Sequence, residues 1–508
     1  MAVGRARSVA LLGLSGALVD VEAELSNQSP GFKLIGLPDS ALREAEQRVR
    51  AAIGNSGLEW PKRKLTVNLS PADLPKQGSG FDLAIAVAAL ATSGQLPGET
   101  GRVAHLGELA LDGRLRPMRG VLPAVLAAAR SGVSTVLVPA ANQDEAALVP
   151  GIRAVGVASL RDAAIWHGAE LEELPVDALL APNPPGDAEP EGDLADIVGN
   201  AEAVEAVITA AAGGHHLLLV GPPGAGKTML ASRMPTLLPP LDEDAALEVA
   251  SLRSLCGVPV GGALTARPPF ESPHHTATPA AMVGGGSAII RPGAAARASH
   301  GVLFLDEAPE FSSATLETLR QPLESGEIRI ARAAAMASFP GRFQLVLAAN
   351  PCPCGEWGSR DRECTCPSAV RLRYLKRLSG PLLDRIDIRV RVSRVTAVQL
   401  RMREDRPTST SAQARNRVIR ARRRARERLA GTAWTTNAAV PGSALRGPLA
   451  LPREVLAPVD RALERGGITM RGYDRILRIA WTLADLDEAD RPGADQIGRA
   501  LLLRRPVP

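Results

Sequence analysis

The apolar positions of this chain follow two rhythms, and the change from one to the other divides it. Over residues 1–173 short alternating runs dominate. "SVALLGL", "ALVDVEAEL", "KLTVNLS" and "TVLVPA" place apolar side chains at every second position or in short blocks, the pattern of strands with one or both faces covered. Between them, "SALREAEQRVRAAIGNSG" and "VLPAVLAAARSG" return apolar residues every three or four positions and then meet glycine. That spacing predicts helices with a glycine stop. From Leu194 the strands become unbroken apolar blocks, "HHLLLV", "GVLFLDE" and "QLVLAAN", as in a parallel sheet covered on both faces. After about Val395 the rhythm is mainly helical, as in "LPREVLAPVDRALERG" and "TMRGYDRILRIAWTLADLD".

The expected organisation is therefore an α/β domain over 1–173, a proline- and acid-rich linker over 174–193, an α/β core with a parallel sheet over 194–395 and a helical lid over 396–508. Three such units suit 508 residues. Hydrophobic residues make up 45% of the chain but aromatic ones only 3%, so Ala, Leu, Val and Ile must build the cores. The net charge of +5 is compatible with a nucleic-acid partner without requiring one. No apolar run reaches the roughly 18 residues of a membrane span, and the N-terminal run passes directly into strand alternation rather than a signal peptide. A cytoplasmic protein without a membrane partner is expected, with its five cysteines as thiols or metal ligands.

Candidate chemistry concentrates behind the strand "HHLLLV". The loop "GPPGAGKT" runs through Gly221, Pro222, Pro223, Gly224, Ala225, Gly226, Lys227 and Thr228, and Met229 continues into a helix. Glycines let a backbone wrap phosphate oxygens with its N–H groups. Lys227 then neutralises the β- and γ-phosphates of ATP, and the Thr228 hydroxyl binds Mg²⁺. "GVLFLDE" supplies Asp306 as a second Mg²⁺ ligand and Glu307 to polarise the attacking water. Asn350 ends the strand "QLVLAAN". It stands beside the γ-phosphate if its strand neighbours the other two; otherwise it merely starts a turn before Pro351.

The loop, the DE strand, the Asn-ended strand, "GPLLDRIDI" and the C-terminal helices resemble an AAA+ ATPase. "SPHHTATPAAMVGGG", "HGVLFLDEAPEF" and "RLSGPLLDRIDI" resemble in particular the YifB/ComM family of magnesium-chelatase-like ATPases, and the likeness runs through the entire chain. It implies an AAA+ P-loop core, an α/β Lon-protease-like domain before it and a helical lid after it. It also implies that Asn350 is the first sensor, that Arg385 in "LLDRID" is an arginine finger for a neighbouring subunit, and that Arg471 is the second sensor, with Arg475 and Arg478 as rivals. A finger from a neighbour requires a homo-oligomer; AAA+ rings are usually hexamers. The family further implies a DNA partner, branched or single-stranded, and branch migration in recombination or natural transformation. A protein remodeller, a subunit of a metal-chelatase-like complex and a slow nucleotide-switched scaffold are the rival readings.

The first domain resembles the Lon protease domain, most closely through "GELALDGRLRPMRGVLPAVLAAARSGVSTVLVPAANQDEA". In Lon the nucleophilic serine follows Pro-Lys-Asp-Gly-Pro. Here "PKQGSGFD" puts Gly80 at that place, with Ser79 one residue early, and Leu122 stands where the lysine partner belongs. A serine hydrolase needs a base beside its hydroxyl, so peptidase activity is not expected. Lys76 as an alternative base would require a different geometry.

Four further features carry open readings. Cys352, Cys354, Cys364 and Cys366 form C-x-C, nine residues, C-x-C; they are either a structural Zn²⁺ clip or four reduced thiols. "GEIRIARAAAMASFPGRFQLVLAA" reads as a hairpin whose Arg329 and Arg332 face DNA phosphates in a central pore, or as a solvated edge hairpin. His274 and His275 are expected in loop packing or DNA contact rather than metal binding. Finally, eight arginines between Arg415 and Arg428 make either a DNA-backbone contact or a solvated lid helix.

Overall fold

A computed structural model describes residues 3–36, 44–76, 78–179, 192–286, 290–331, 336–358, 363–396, 399 and 409–505. Most of the expected linker and Arg332 lie outside the described residues.

The first domain is built on an antiparallel hairpin, Gly4–Leu12 with Ser15–Ser26. Its two-residue turn starts at Gly13, whose φ of +67° suits glycine. Alternation sorts the side chains. Ala6, Val19, Val21 and Ala23 are buried, while Arg5 and Arg7 reach across the outer face to Glu22 and Asp20. The seven-stranded sheet runs in the order Gly31–Ile35, Lys64–Ser70, Ser15–Ser26, Gly4–Leu12, Ala104–His105, Thr135–Pro139, Arg153–Val157. The two predicted helices appear as Ala45–Asn55 and Val121–Arg130. Helix Asp82–Thr92 has no polar stripe, and every residue from Asp82 to Leu90 is buried, as expected of a helix apolar all round.

The second sheet positions the site. Its five strands lie in the order Phe270–Glu271, Val302–Leu305, Gln344–Ala349, Leu217–Val220, Ile388–Arg391, and all neighbours are parallel. Every residue of Val302–Leu305, Gln344–Ala349 and Leu217–Val220 is buried, as their continuous apolar runs demand. The three strands therefore deliver Gly221, Asp306 and Asn350 to one edge of the sheet, the usual place for a ligand in an open α/β fold. The expected hairpin forms from Glu327–Ala331 and Met336–Pro340.

The lid contributes helices Ser411–Arg428, Arg453–Glu464, Met470–Leu486 and Ala494–Leu503. Ala414, Val418 and Ala421 share one apolar cluster with Val204, Val207 and Ile208 of the core and with Ile476 and Trp481 of the lid. The arginines of helix Ser411–Arg428 do much of the docking. Arg417 grips Glu205, Arg422 donates to the Ala211 carbonyl, Arg424 reaches Asp490, and Arg428 pairs with buried Asp485. The first domain packs on the core through helix Val121–Arg130, where Gly120 N–H donates to the Ser254 carbonyl at 3.0 Å. Gly13 also forms a parallel bridge with Ser338 of the hairpin.

Candidate active site

The loop after Leu217–Val220 turns at Gly224 and Gly226, with φ of +74° and +91°, left-handed conformations that disfavour a side chain. Lys227 opens helix Lys227–Leu237. Its ammonium donates to the Gly221 carbonyl (2.8 Å), the Pro222 carbonyl (3.0 Å) and Asn350 Oδ1 (3.0 Å). Burial holds the Lys227 pKa below its usual range, yet three acceptors stabilise the charge. Thr228 Oγ1 donates to Asp306 Oδ2 at 2.7 Å, so the two groups expected to hold Mg²⁺ already face each other. Glu307 follows at φ +49° and its N–H donates to Asp306 Oδ1. Asn350, Asp306, Glu307 and the loop line a cavity of about 420 Å³, and Met229 is half exposed at its rim.

This donor set fits ATP with Mg²⁺. Backbone N–H groups and a cation stand at one end, a hydroxyl and a carboxylate side by side, and a second carboxylate next to them. Adjacent parallel strands supply Asp306 and Asn350, and Asn350 faces the cavity and Lys227.

Arg385 and Arg471 do not line that cavity. Both line another, of about 620 Å³, with Arg320, Glu324 and Asp384. Arg385 pairs with Glu324 and donates to the Pro381 carbonyl at 2.6 Å. Arg471 pairs with Asp384 at 3.0 Å and keeps three quarters of its side chain exposed. Its rivals are committed elsewhere: Arg475 to buried Asp387 and Arg478 to the Val440 carbonyl. Arg471 is the most exposed of the three, at 75% of its side chain.

Sequence reasoning placed His275 in loop packing or DNA contact and did not anticipate two contacts at the site. His275 Nδ1 lies 3.6 Å from Glu307 Oε2, and its ring leans against His274, tilted by 35° with centroids 4.0 Å apart. The loop that carries it is anchored by Thr315 Oγ1, which donates to the Ala277 carbonyl at 3.0 Å. Glu356 and Arg394 form a two-pronged ion pair behind the phosphate loop, and Arg394 Nε also reaches the Pro223 carbonyl at 3.4 Å. Nothing in local sequence signals either contact.

The four expected thiols converge, with all Sγ atoms within 4.8 Å of one another. The Glu356 backbone N–H draws the Cys354 thiol down to about 6, and burial pushes Cys352 up to about 12. In the hairpin, Arg329 is exposed and pairs with Glu327 of its own strand.

The Lon-like catalytic residues are not assembled. Leu122 is fully buried. Lys76 is also buried, its ammonium donating to the Pro71 carbonyl. Ser79 donates instead to Glu108. A hydroxyl hydrogen-bonded to a carboxylate, with the lysine turned to a carbonyl, is no Ser–Lys pair.

Comparison with known proteins agrees with this geometry. Residues 193–400 match the family described as magnesium chelatase, subunit ChlI, residues 21–142 match subunit ChlI of Mg-chelatase, and residues 408–504 match its C-terminal family. The chain is 41% identical to the competence protein ComM of Haemophilus influenzae, over 98% of this chain and 97% of that one. It is 40% identical to YifB of Escherichia coli, over 95% and 93%. A Lon protease of Mycolicibacterium smegmatis is 32% identical over 33% of this chain and 23% of its own length. Among the described residues no helix is long and apolar enough to cross a membrane. The chain belongs to the YifB/ComM family of magnesium-chelatase-like AAA+ ATPases.

Proposed function

We propose that this chain is a ring-forming, Mg²⁺-dependent ATPase that drives DNA branch migration, serving homologous recombination or natural transformation in the cytoplasm. The observation that carries the hydrolytic part is the convergence of Lys227, Thr228, Asp306, Glu307 and Asn350 at the ends of three adjacent parallel strands. Lys227 neutralises phosphate charge, Thr228 and Asp306 would hold Mg²⁺, and Glu307 takes the proton of the attacking water. When bound, Mg²⁺ supplies charge neutralisation at the β- and γ-phosphates. A structural Zn²⁺ on the four thiols completes the cofactor set.

The proposal of assembly is supported by where the arginines stand. Arg385 and Arg471 share a cavity that the chain's own phosphate loop does not line. In this reading both serve the nucleotide of a neighbouring subunit, in a hexamer, where their guanidinium groups stabilise charge developing at the γ-phosphate. DNA as the track is supported by the exposed Arg329 on the hairpin, by the positive net charge and by a relative whose name is that of a competence protein. The arginine-rich helix supports it less, since Arg417, Arg422, Arg424 and Arg428 are engaged within the chain.

ATP turnover measured with and without forked or four-way DNA, with branch movement scored in the same samples, tests the proposal. Stimulation by branched DNA and movement by the wild type but not by Lys227→Ala is the expected result. Turnover indifferent to DNA at low salt, yet raised by an unfolded protein, replaces the DNA motor with a protein remodeller.

A further inference from the structure

The segment that carries the four thiols touches the phosphate loop. Cys352 follows Asn350 by two positions, and Gly355 (φ +80°) presses so closely on Pro223 that a side chain there would collide with the proline ring. Glu356 accepts two hydrogen bonds from Arg394, at 3.1 and 2.7 Å, and Arg394 Nε reaches the Pro223 carbonyl. Two short routes therefore lead from the cysteines to Pro223, inside the loop that wraps phosphate.

The sulfur geometry is that of a metal site. Cys352 Sγ lies 3.3 Å from Cys354 Sγ and 3.6 Å from Cys364 Sγ, and Cys354 Sγ is 3.6 Å from Cys364 Sγ. Four sulfurs at about 2.3 Å from a tetrahedral zinc stand about 3.8 Å apart, whereas a disulfide requires about 2.05 Å. Donors surround the thiols: Trp357 N–H points at Cys352 Sγ (3.4 Å), and Arg371 reaches Cys364 Sγ (3.9 Å) with its guanidinium over the Trp357 ring. Outer-shell donors of this kind orient and stabilise thiolate ligands. An all-sulfur set is soft, suits zinc and leaves no open catalytic position.

We infer that a zinc ion on Cys352, Cys354, Cys364 and Cys366 is a strut for the phosphate-binding loop, so that nucleotide affinity depends on metal occupancy. The inference rests on the ATPase reading above. With metal bound, the segment from Cys352 to Glu356 has a fixed shape, Gly355 backs Pro223, and Glu356 holds Arg394 against the loop carbonyl. Without metal, Gly355 and Glu356 lose their anchor and the loop loses its backing.

The test measures metal content and affinity for a fluorescent ADP analogue in three full-length proteins. These are the wild type, the double variant Cys364→Ser/Cys366→Ser, and Glu356→Gln, which keeps all four thiols but weakens the strut. The expected result is about one zinc per chain in the wild type and in Glu356→Gln and almost none in the thiol variant. Affinity falls roughly tenfold in both variants, with unchanged helix content by circular dichroism. If the thiol variant does not fold, Glu356→Gln decides alone. Stoichiometric zinc with wild-type affinity in Glu356→Gln overturns the strut. Freshly reduced wild type that holds no zinc and takes up no Co²⁺ overturns the metal site, even if it binds nucleotide well. Wild type that holds zinc but binds no nucleotide defeats the ATPase reading itself.

Discussion

Lys227 shows how much one side chain is asked to do. Its ammonium is buried and held by two carbonyls and Asn350, at the mouth of the loop where the proposed phosphates would sit. Lys227→Ala should lower ATP turnover by at least about 100-fold, since it removes a charge aimed at the reacting phosphates, and steady-state hydrolysis assays read this directly. Glu307→Gln should preserve nucleotide binding while turnover falls by about 10²–10⁴-fold, the usual loss when a general base is removed; equilibrium binding beside single-turnover hydrolysis separates the two effects. His275 stands against the same glutamate and is expected to restrain it. His275→Ala should raise turnover without DNA severalfold and shrink the stimulation by DNA; unchanged values in both arms contradict that role. The phosphate loop was legible in the sequence because glycine spacing and the preceding strand together define it. The His275–Glu307 contact was not, because only the anchoring of a distant loop on Thr315 creates it.

At the scale of elements, period and composition told different amounts. The unbroken apolar runs gave the parallel strands, and their order in the sheet could not be read from them. Helix Ser411–Arg428 was legible as a helix, but the destination of its charges was not. Eight arginines in so short a stretch look like a solvated or DNA-binding face, yet the fold brings Glu205, Asp485 and Asp490 to meet them. Arg428 is the most committed. It pairs two-pronged with Asp485, bonds Asn437 and lies 4.4 Å over the Trp481 ring. Arg428→Ala strands the buried Asp485 carboxylate, which costs about 3 kcal/mol in comparable buried pairs, and urea unfolding should show a lower midpoint with an unchanged slope.

The whole molecule carries a pH dependence that no local motif announces. Burial lowers the pKa of His105 to about 3 and of His167 and His216 to about 4. Each therefore stays neutral in the native state, while the unfolded chain takes up its proton near the ordinary value of 6.5. The stability from these groups is complete above about pH 6.5 and is lost as the pH falls toward the native values, because the unfolded state binds more protons in that window. Asp387, held low despite its burial by neighbouring His215 and the Arg475 charge, adds stability that is lost only below the ordinary carboxylate value of 3.8, well below the pH at which the unfolded rings take up their protons. Burial raises the Glu145 carboxyl to about 7 and Asp82 to about 6, which opposes the three rings over the same range. Urea midpoints should still fall between about pH 7.5 and pH 5.5, less steeply than the rings alone would give, and midpoints that rise as the pH falls contradict the burial of these rings as neutral species.

The largest consequence at this scale belongs to the proposal of shared catalysis between copies of the chain, which is supported by the phosphate loop and the pair Arg385 and Arg471 lining separate cavities. Mixing two inactive proteins tests this most directly. Lys227→Ala keeps the arginines, and Arg385→Ala keeps the phosphate loop. Mixed as dissociated chains and allowed to assemble, they should recover ATP turnover toward about a quarter of the wild-type rate, the share of random interfaces that pair an intact loop with an intact arginine in a closed ring. No recovery in assemblies that demonstrably contain both chains contradicts the account.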